Sequence, residues 1–225
     1  MAPRERFNKQ LAYLHVEMTD MGAQVHGVIN RTVRVLEAND LTLAQQIFDG
    51  DDVVDGMERH IEQMCLSLIT RESPIATDLR HITASLKIIT DLERAADQCA
   101  DICEIVARAL GTPQIPAAQM LPGMLQKASD LFGKALDAFL DEDEEKAQQV
   151  ISQDEEIDAL FYACIGALRT SLGEDPKSAA QAVNTMMIAK YIERIGDHAT
   201  NIAEWAIYLA TGRHPREVYL ESGPQ

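Results

Sequence analysis

The chain has 225 residues, of which 46% are hydrophobic, so it is long enough to bury a substantial core. Its 36 acidic and 20 basic side chains give a formal net charge of −16, which repels nucleic-acid phosphates and anionic lipid heads and argues against nucleic-acid binding. No stretch approaches about 18 uninterrupted apolar residues, no signal-peptide segment is present, and four cysteines do not form an extracellular disulfide framework. These features predict a cytoplasmic protein without membrane insertion.

Apolar residues recur at steps of three and four along nearly the whole chain, and hairpin signals are scarce, so the sequence predicts an all-α protein. Six helices are expected, separated in the middle by a linker rich in proline and glycine. Their predicted ranges are about 4–38, 41–71, 74–110, 118–140, 142–172 and 177–211. We therefore predict two tandem three-helix bundles, in residues 1–112 and 113–212, followed by a tail at 213–225.

The two halves of the chain repeat one another. Residues 88–104 match residues 188–204 at an offset of 100 positions, and both segments contain Glu-Arg-x-x-Asp. The tripeptide Ala-Gln-Gln at 44–46 recurs at 147–149, an offset of 103 positions. An internal duplication of this kind implies that a site in one bundle has a counterpart in the other.

Each half carries two pairs of acidic residues that are four positions apart, a spacing that places both carboxylates on one face of a helix. The pairs are Asp51/Asp55, Glu93/Asp97, Asp154/Asp158 and Glu193/Asp197, and Asp101 continues the line of the second pair. These residues flank the apolar stripes, so we expect them near the seams between helices. Oxygen-only ligand sets suit Mg²⁺, Mn²⁺ or iron better than structural zinc.

Two interpretations of the acidic pairs remain open at this point. In the first, each half binds a metal ion, and Arg94 and Arg194 brace the carboxylates through guanidinium hydrogen bonds. In the second, the pairs form a solvated face that the arginines neutralise without any ion. A protein without metal would then be a helical scaffold.

The second half is poorer in acidic residues than the first. Phe161 stands at the position of Glu58, and Asn201 stands at the position of Asp101. If both halves bind metal, we expect the second site to be weaker or to hold fewer ions.

Motifs of common enzyme classes are missing from the sequence. There is no Walker loop, no GxGxxG, no GxSxG and no HExxH. No glutamate has a histidine three residues later, a pattern that ferritin-like di-iron proteins require on two helices. We therefore predict a protein that is not an enzyme, with a metal-dependent oxidase or hydrolase that uses the same carboxylates as the alternative.

Three segments of the chain resemble the signatures of the PhoU family: residues 73–80, 86–94 and 191–205. The resemblance extends over about residues 5–212. It implies a cytoplasmic, all-helical homodimer that links the ATPase of the phosphate ABC transporter to a sensor histidine kinase and lowers phosphate-starvation signalling. It also implies a divalent or multinuclear metal, such as iron, Mg, Mn or Zn, at the four acidic pairs.

Overall fold

The structure is a computed structural model that describes residues 3–72, 74–109 and 115–213. Within these ranges the chain forms seven α-helices and no strand, which confirms the predicted all-α class. The helices are α1 (Pro3–Ala38), α2 (Leu41–Asp49), α3 (Asp52–Glu72), α4 (Ala76–Arg108), α5 (Leu121–Leu140), α6 (Glu144–Glu174) and α7 (Ala179–Thr211). Short 3₁₀ helices at Pro116–Met120 and Pro176–Ser178 precede α5 and α7. None of the described helices has the length and apolarity needed to cross a membrane.

The helices form two bundles that pack side by side. Helices α1 to α4 form the first bundle and α5 to α7 the second, and the bundles meet where α4 packs on α7 and α1 packs on α5. Helices α4 and α7 therefore bury side chains against both bundles and lie at the centre of one continuous core. Two tandem three-helix bundles related by duplication are confirmed. The predicted boundaries stay a prediction, because residues 110–114 and most of the tail (213–225) lie outside the described residues.

The single helix predicted over 41–71 is interrupted, and this part of the prediction is wrong. Gly50 ends α2 by donating its backbone N–H to the carbonyl of Ile47 at 3.2 Å, and its own carbonyl accepts from Val53 at 3.3 Å. Glycine weakens a helix interior by about 1 kcal/mol relative to alanine, so the chain turns there at low cost. The turn places Asp51 directly before the first residue of α3.

The loops that enter the middle helix of each bundle have the same construction, at the offset of 103 residues seen in the sequence. Asn39 and Glu142 adopt a left-handed backbone, with φ of 50° and 51°. The next residues, Asp40 and Asp143, each accept a hydrogen bond from the backbone N–H three positions on, at 3.0 and 3.1 Å. The duplication therefore preserves the helix caps as well as the acidic pairs.

We expect Asp40→Ala and Asp143→Ala to destabilise the protein to a similar degree. Each substitution removes the N-cap acceptor of a helix, which lowers the free energy of unfolding by about 1 kcal/mol. For a chain of this size, that change lowers Tm by about 2–4 °C, which thermal unfolding followed by circular dichroism measures. Asp20→Ala, at an exposed position in α1, serves as the control and should leave Tm nearly unchanged. A loss in only one of the two cap variants would contradict the equivalence of the loops.

Candidate metal centre

The seam between α3 and α4 brings three of the predicted carboxylates together. One carboxylate oxygen from each of Asp51, Asp55 and Asp97 lies within 4.8 Å of the other two. All three side chains are half-buried. Asp51 sits in the turn before α3, Asp55 in the first turn of that helix, and Asp97 near the middle of α4. We call these three residues and Glu93 the first cluster.

Glu93 and Arg94 border the three aspartates. Glu93 is only 14% exposed, and its buried Oε2 makes no hydrogen bond within the described residues, although Arg94 Nε lies 3.2 Å away. Arg94 Nη1 donates to Asp97 Oδ2 at 3.1 Å. Arg94 thus pairs with two of the four carboxyl groups, so negative charge stays in excess in the first cluster.

The pKa values of the first cluster show how unfavourable this crowding is. Burial, followed by the charges of Asp97 and Asp55, raises the pKa of Asp51 to about 6. Burial and then the charge of Asp97 raise the pKa of Glu93 to about 7, against the opposing effect of Arg94. Burial also raises the pKa of Asp97. The carboxylates are held where their negative charge is costly, and a bound cation would remove that cost.

Asp101, one turn beyond Asp97, lies where α4 contacts α7. Burial raises its pKa, while a hydrogen bond from the Tyr191 hydroxyl and the nearby charge of Arg194 act in the opposite direction. Asp101 does not belong to the set of three carboxylates that converge within 4.8 Å. Arg194 therefore faces a carboxylate of the first bundle.

The four acidic residues of the second half, Asp154, Asp158, Glu193 and Asp197, lie on α6 and α7; we call them the second cluster. Asp158 and Asp197 are exposed, and Glu193 forms an ion pair with Lys190. Burial, then the charges of Asp197 and Asp158, raises the pKa of Asp154 to about 6. Within the described ranges, three carboxylates converge closely enough for one ion only in the first cluster.

Sequence reasoning did not identify the polar contacts between α4 and α7. His198 Nδ1 and Asn201 Nδ2 each lie 2.9 Å from Asp91 Oδ1, and Asn201 donates to that oxygen. On the same helix pair, the Tyr191 hydroxyl bonds to Asp101. In the repeat, Asp91 is equivalent to Tyr191, and Asp101 is equivalent to Asn201. The contact between Asp91 and Asn201 is therefore related by the duplication to the contact between Tyr191 and Asp101. Each of these positions carries a polar residue in both repeats, although the two helices are largely buried. That pattern in the sequence could have predicted polar contacts between α4 and α7.

The donor atoms of the first cluster fit a divalent cation. With metal–oxygen bonds of about 2.1 Å, octahedral ligands lie about 3.0 Å apart when adjacent and about 4.2 Å apart when opposite. The oxygens of Asp51, Asp55 and Asp97 fall within 4.8 Å of one another, so small side-chain adjustments suffice. Glu93 borders this set, but its Oε2 lies 3.2 Å from Arg94 Nε and is not among the converging oxygens. A set of carboxylate oxygens alone suits Mg²⁺, Mn²⁺ or Fe²⁺.

A family model described as the PhoU domain matches the chain twice, over residues 18–106 and 121–206, once in each bundle. The phosphate-specific transport system accessory protein PhoU homolog of Clostridium acetobutylicum is 34% identical and aligns over 93% of this chain and 96% of its own. The homolog of Rhizobium meliloti is 36% identical and aligns over 93% of this chain and 89% of its own.

Solved structures show the same similarity. The crystal structure of PhoU from Pseudomonas aeruginosa aligns with a TM-score of 0.88 and 32% identity over 92% of this chain and 100% of that one. The crystal structure of the phosphate transport system regulatory protein PhoU from Streptococcus pneumoniae aligns with a TM-score of 0.85 and 25% identity. The alignment covers 92% of this chain and 98% of that one. The relatives named here are accessory and regulatory proteins of phosphate transport.

Proposed function

The chain belongs to the PhoU family, which confirms the resemblance seen in its sequence, and on that premise we propose that it is a metal-binding regulator of phosphate uptake. It acts as a non-enzymatic, cytoplasmic adaptor, as a homodimer, between the ATPase of the phosphate ABC transporter and a sensor histidine kinase. In this role it lowers phosphate-starvation signalling. The convergence of Asp51, Asp55 and Asp97 within 4.8 Å is the observation that carries the metal-binding part of the proposal.

In the first cluster, Asp51, Asp55, Asp97 and Glu93 would hold the ion, and Arg94 fixes the orientation of Asp97 through its hydrogen bond. The bound cation supplies positive charge that offsets the repulsion between α3 and α4. Asp51 lies in the turn between α2 and α3, so its position depends on the direction of that turn. Metal content therefore controls how firmly α2 and α3 are held against α4, which is a change that a partner protein can detect.

The proposal is tested by purifying the protein without chelator or affinity metal, measuring bound metals by elemental analysis, and repeating the purification from phosphate-replete cells. We expect wild-type protein to retain a divalent metal and to bring the transporter ATPase with it. Treatment with chelator, or the substitution Asp97→Asn, should reduce both. Association with the ATPase that is equally strong in a metal-free preparation would contradict a role for the metal.

The two clusters are expected to bind metal with different affinities. Asp158 and Asp197 are exposed, and Lys190 already pairs with Glu193, so the second cluster gains less from a cation. In a calorimetric titration of metal-free protein with Mn²⁺, we expect the first cluster to bind at least about tenfold more tightly, a difference of about 1.4 kcal/mol. Asp97→Asn should remove the tighter binding event and Asp197→Asn the weaker one. Equal affinity and stoichiometry in both halves would refute this prediction.

A further inference from the structure

The second bundle exposes large apolar side chains on neighbouring turns of α6 and α7. The exposed fractions are 70% for Tyr162, 55% for Val183, 42% for Met186 and 37% for both Met187 and Leu172. Val183, Met186 and Met187 follow helical spacing and share one face of α7. A monomeric protein seldom leaves such a group of side chains exposed without using it for an interaction.

Helices α6 and α7 are in contact beside these side chains. The rings of Phe161 and Tyr162 on α6 meet edge to face, with centroids 5.7 Å apart. From α7, Lys190 Nζ lies 5.6 Å from the centroid of Phe161, which places the two helices in contact at this point. Met186 is one turn from Lys190, on the side toward Val183. We define the α6–α7 face by its apolar residues: Phe161, Tyr162, Leu172, Val183, Met186 and Met187.

The first bundle shows that the fold does not require this apolar surface. Four of the six equivalent positions hold polar residues: Glu58 for Phe161, Arg59 for Tyr162, Thr83 for Val183 and Lys87 for Met187. The other two, Leu86 for Met186 and Ile69 for Leu172, are apolar in both repeats. The geometry is retained, because Thr90 Oγ1 donates to Glu58 Oε1 at 3.4 Å, where the second bundle places Lys190 over Phe161. Four polar side chains of one repeat are thus apolar in the other, on a face that remains largely exposed. Phe161 packs partly against the core, but Tyr162, Val183 and Met187 are exposed, so packing of the bundle does not explain the difference at those three positions.

The charge beside the α6–α7 face indicates what binds there. Along α6, Asp158 is one turn from Phe161, and along α7, Glu193 is one turn from Lys190, so the apolar surface runs directly into the second cluster. Asp158 and Asp197 are exposed at that end. The complement of a surface that is apolar along its length and acidic at one end is a helix with an apolar stripe and a basic end. A second copy of this chain, also with a net charge of −16, is a poor match.

We propose that the α6–α7 face is the docking surface for a partner protein that presents an amphipathic α-helix with Lys or Arg at one end. The proposal rests on the adaptor function proposed above and assigns the surface by which one partner is held. Methionine side chains adapt to varied apolar surfaces, and exposed tyrosines are frequent centres of protein interfaces. The two bundles would then be specialised, the first for metal and the second for a partner helix.

The test compares the wild type with Tyr162→Arg/Val183→Thr/Met187→Lys, which introduces the residues of the first bundle and so is compatible with the fold. The probe is a fluorescent helical peptide of about five turns with a leucine stripe and lysine flanks, and a matched peptide has glutamate in place of lysine. Fluorescence anisotropy should show that the triple variant binds the lysine peptide at least about tenfold more weakly, a loss of about 1.4 kcal/mol. The wild type should bind the glutamate peptide more weakly by a similar factor.

The control variant is Tyr13→Arg/Val16→Lys, which makes the same change in net charge on α1, where Tyr13 and Val16 are 52% and 50% exposed. It should bind the lysine peptide like the wild type. In spectra of protein labelled with ¹³C at the methionine methyl groups, the signals of Met186 and Met187 should shift when the peptide is added. Circular dichroism and Mn²⁺ binding at the first cluster should be unchanged in both variants, which separates this test from that of the metal proposal.

Several results would overturn the proposal. Equal weakening in the triple and control variants would show that net charge alone attracts the peptide. Absence of binding to the wild type, or equal binding of the glutamate peptide, would exclude a basic helix as the occupant. A wild-type dimer in sedimentation that becomes monomeric in the triple variant would assign the face to a second copy of this chain.

Discussion

Asp51→Asn is expected to stabilise the metal-free protein and at the same time to weaken divalent-cation binding at the first cluster at least about a hundredfold. Loss of a group that only supports a metal ligand already costs about 10- to 100-fold in affinity, and Asp51 is placed as a direct ligand. The gain in stability has a separate cause. Burial and neighbouring charges raise the pKa of Asp51 to about 6, so its charged form opposes folding at neutral pH.

The size of the stabilisation follows from the partial exposure of Asp51. Because solvent screens part of the repulsion, we expect a gain of about 1 kcal/mol, which raises Tm by about 2–4 °C for a chain of this length. Asparagine has nearly the same shape as aspartate and caps helices equally well, so the turn before α3 is preserved. The substitution therefore removes charge with little change in packing.

Thermal unfolding in chelator and calorimetric titration with Mn²⁺ measure the two effects on the same protein. Asp52→Asn is the matched control, because Asp52 is the next residue, is exposed, and lies outside the three converging carboxylates. Its charge contributes less to the raised pKa of Asp51 than burial and the charges of Asp97 and Asp55 do, so Asp52→Asn should change Mn²⁺ affinity and Tm much less than Asp51→Asn. A decrease in the Tm of metal-free Asp51→Asn would show that this carboxylate stabilises the apoprotein.

Much of the fold could be predicted because the physical signals are local and repeated. Apolar spacing along each segment predicts the helices, and the offsets of 100 and 103 residues predict two equivalent bundles. The same reasoning predicted that the acidic pairs lie near helix seams, since residues four apart share a face. The convergence of Asp51 with Asp97 could not be predicted, because it depends on how α3 and α4 are aligned along their lengths.

Three features required the structure. The break at Gly50 could not be distinguished from a weak helix interior, because a glycine inside a helix is tolerated when packing is favourable. The proximity of Arg194 to Asp101 of the other bundle was not predicted, since it depends on the contact of α4 with α7. The apolar character of the α6–α7 face was visible in the sequence, but periodicity alone does not separate an exposed apolar stripe from a buried one.

Between about pH 8 and about pH 5, the metal-free protein should become more stable as the pH falls, while the extra stability that bound metal adds should shrink. The pKa is raised to about 7 for Glu93 and to about 6 for Asp51, so the folded state binds protons that the unfolded state does not. Stability of the metal-free protein therefore increases as the pH falls through 7 and 6, and the gain is complete near the ordinary carboxyl pKa of about 4. Metal binding needs the same groups deprotonated, so the stabilisation by metal decreases over this range.

Thermal unfolding with chelator and with Mn²⁺ across this pH range measures both slopes. At about a hundredfold excess over its Kd, the metal adds about 2.7 kcal/mol of stability near pH 8, and this increment should shrink as the pH falls. Protonation elsewhere on a chain with a net charge of −16 also reduces repulsion and would give the metal-free slope the same sign. The slope by itself therefore does not identify the first cluster as its source.

The double variant Asp51→Asn/Glu93→Gln separates the two explanations. It removes two acidic groups from the first cluster and should flatten the pH dependence of the metal-free protein. Asp20→Asn/Glu37→Gln makes the same change in net charge at exposed positions of α1 and should keep the wild-type slope. If both variants flatten the slope equally, general repulsion explains the pH dependence. If only the first does, the carboxylates that converge between α3 and α4 are the groups that protons and metal compete for.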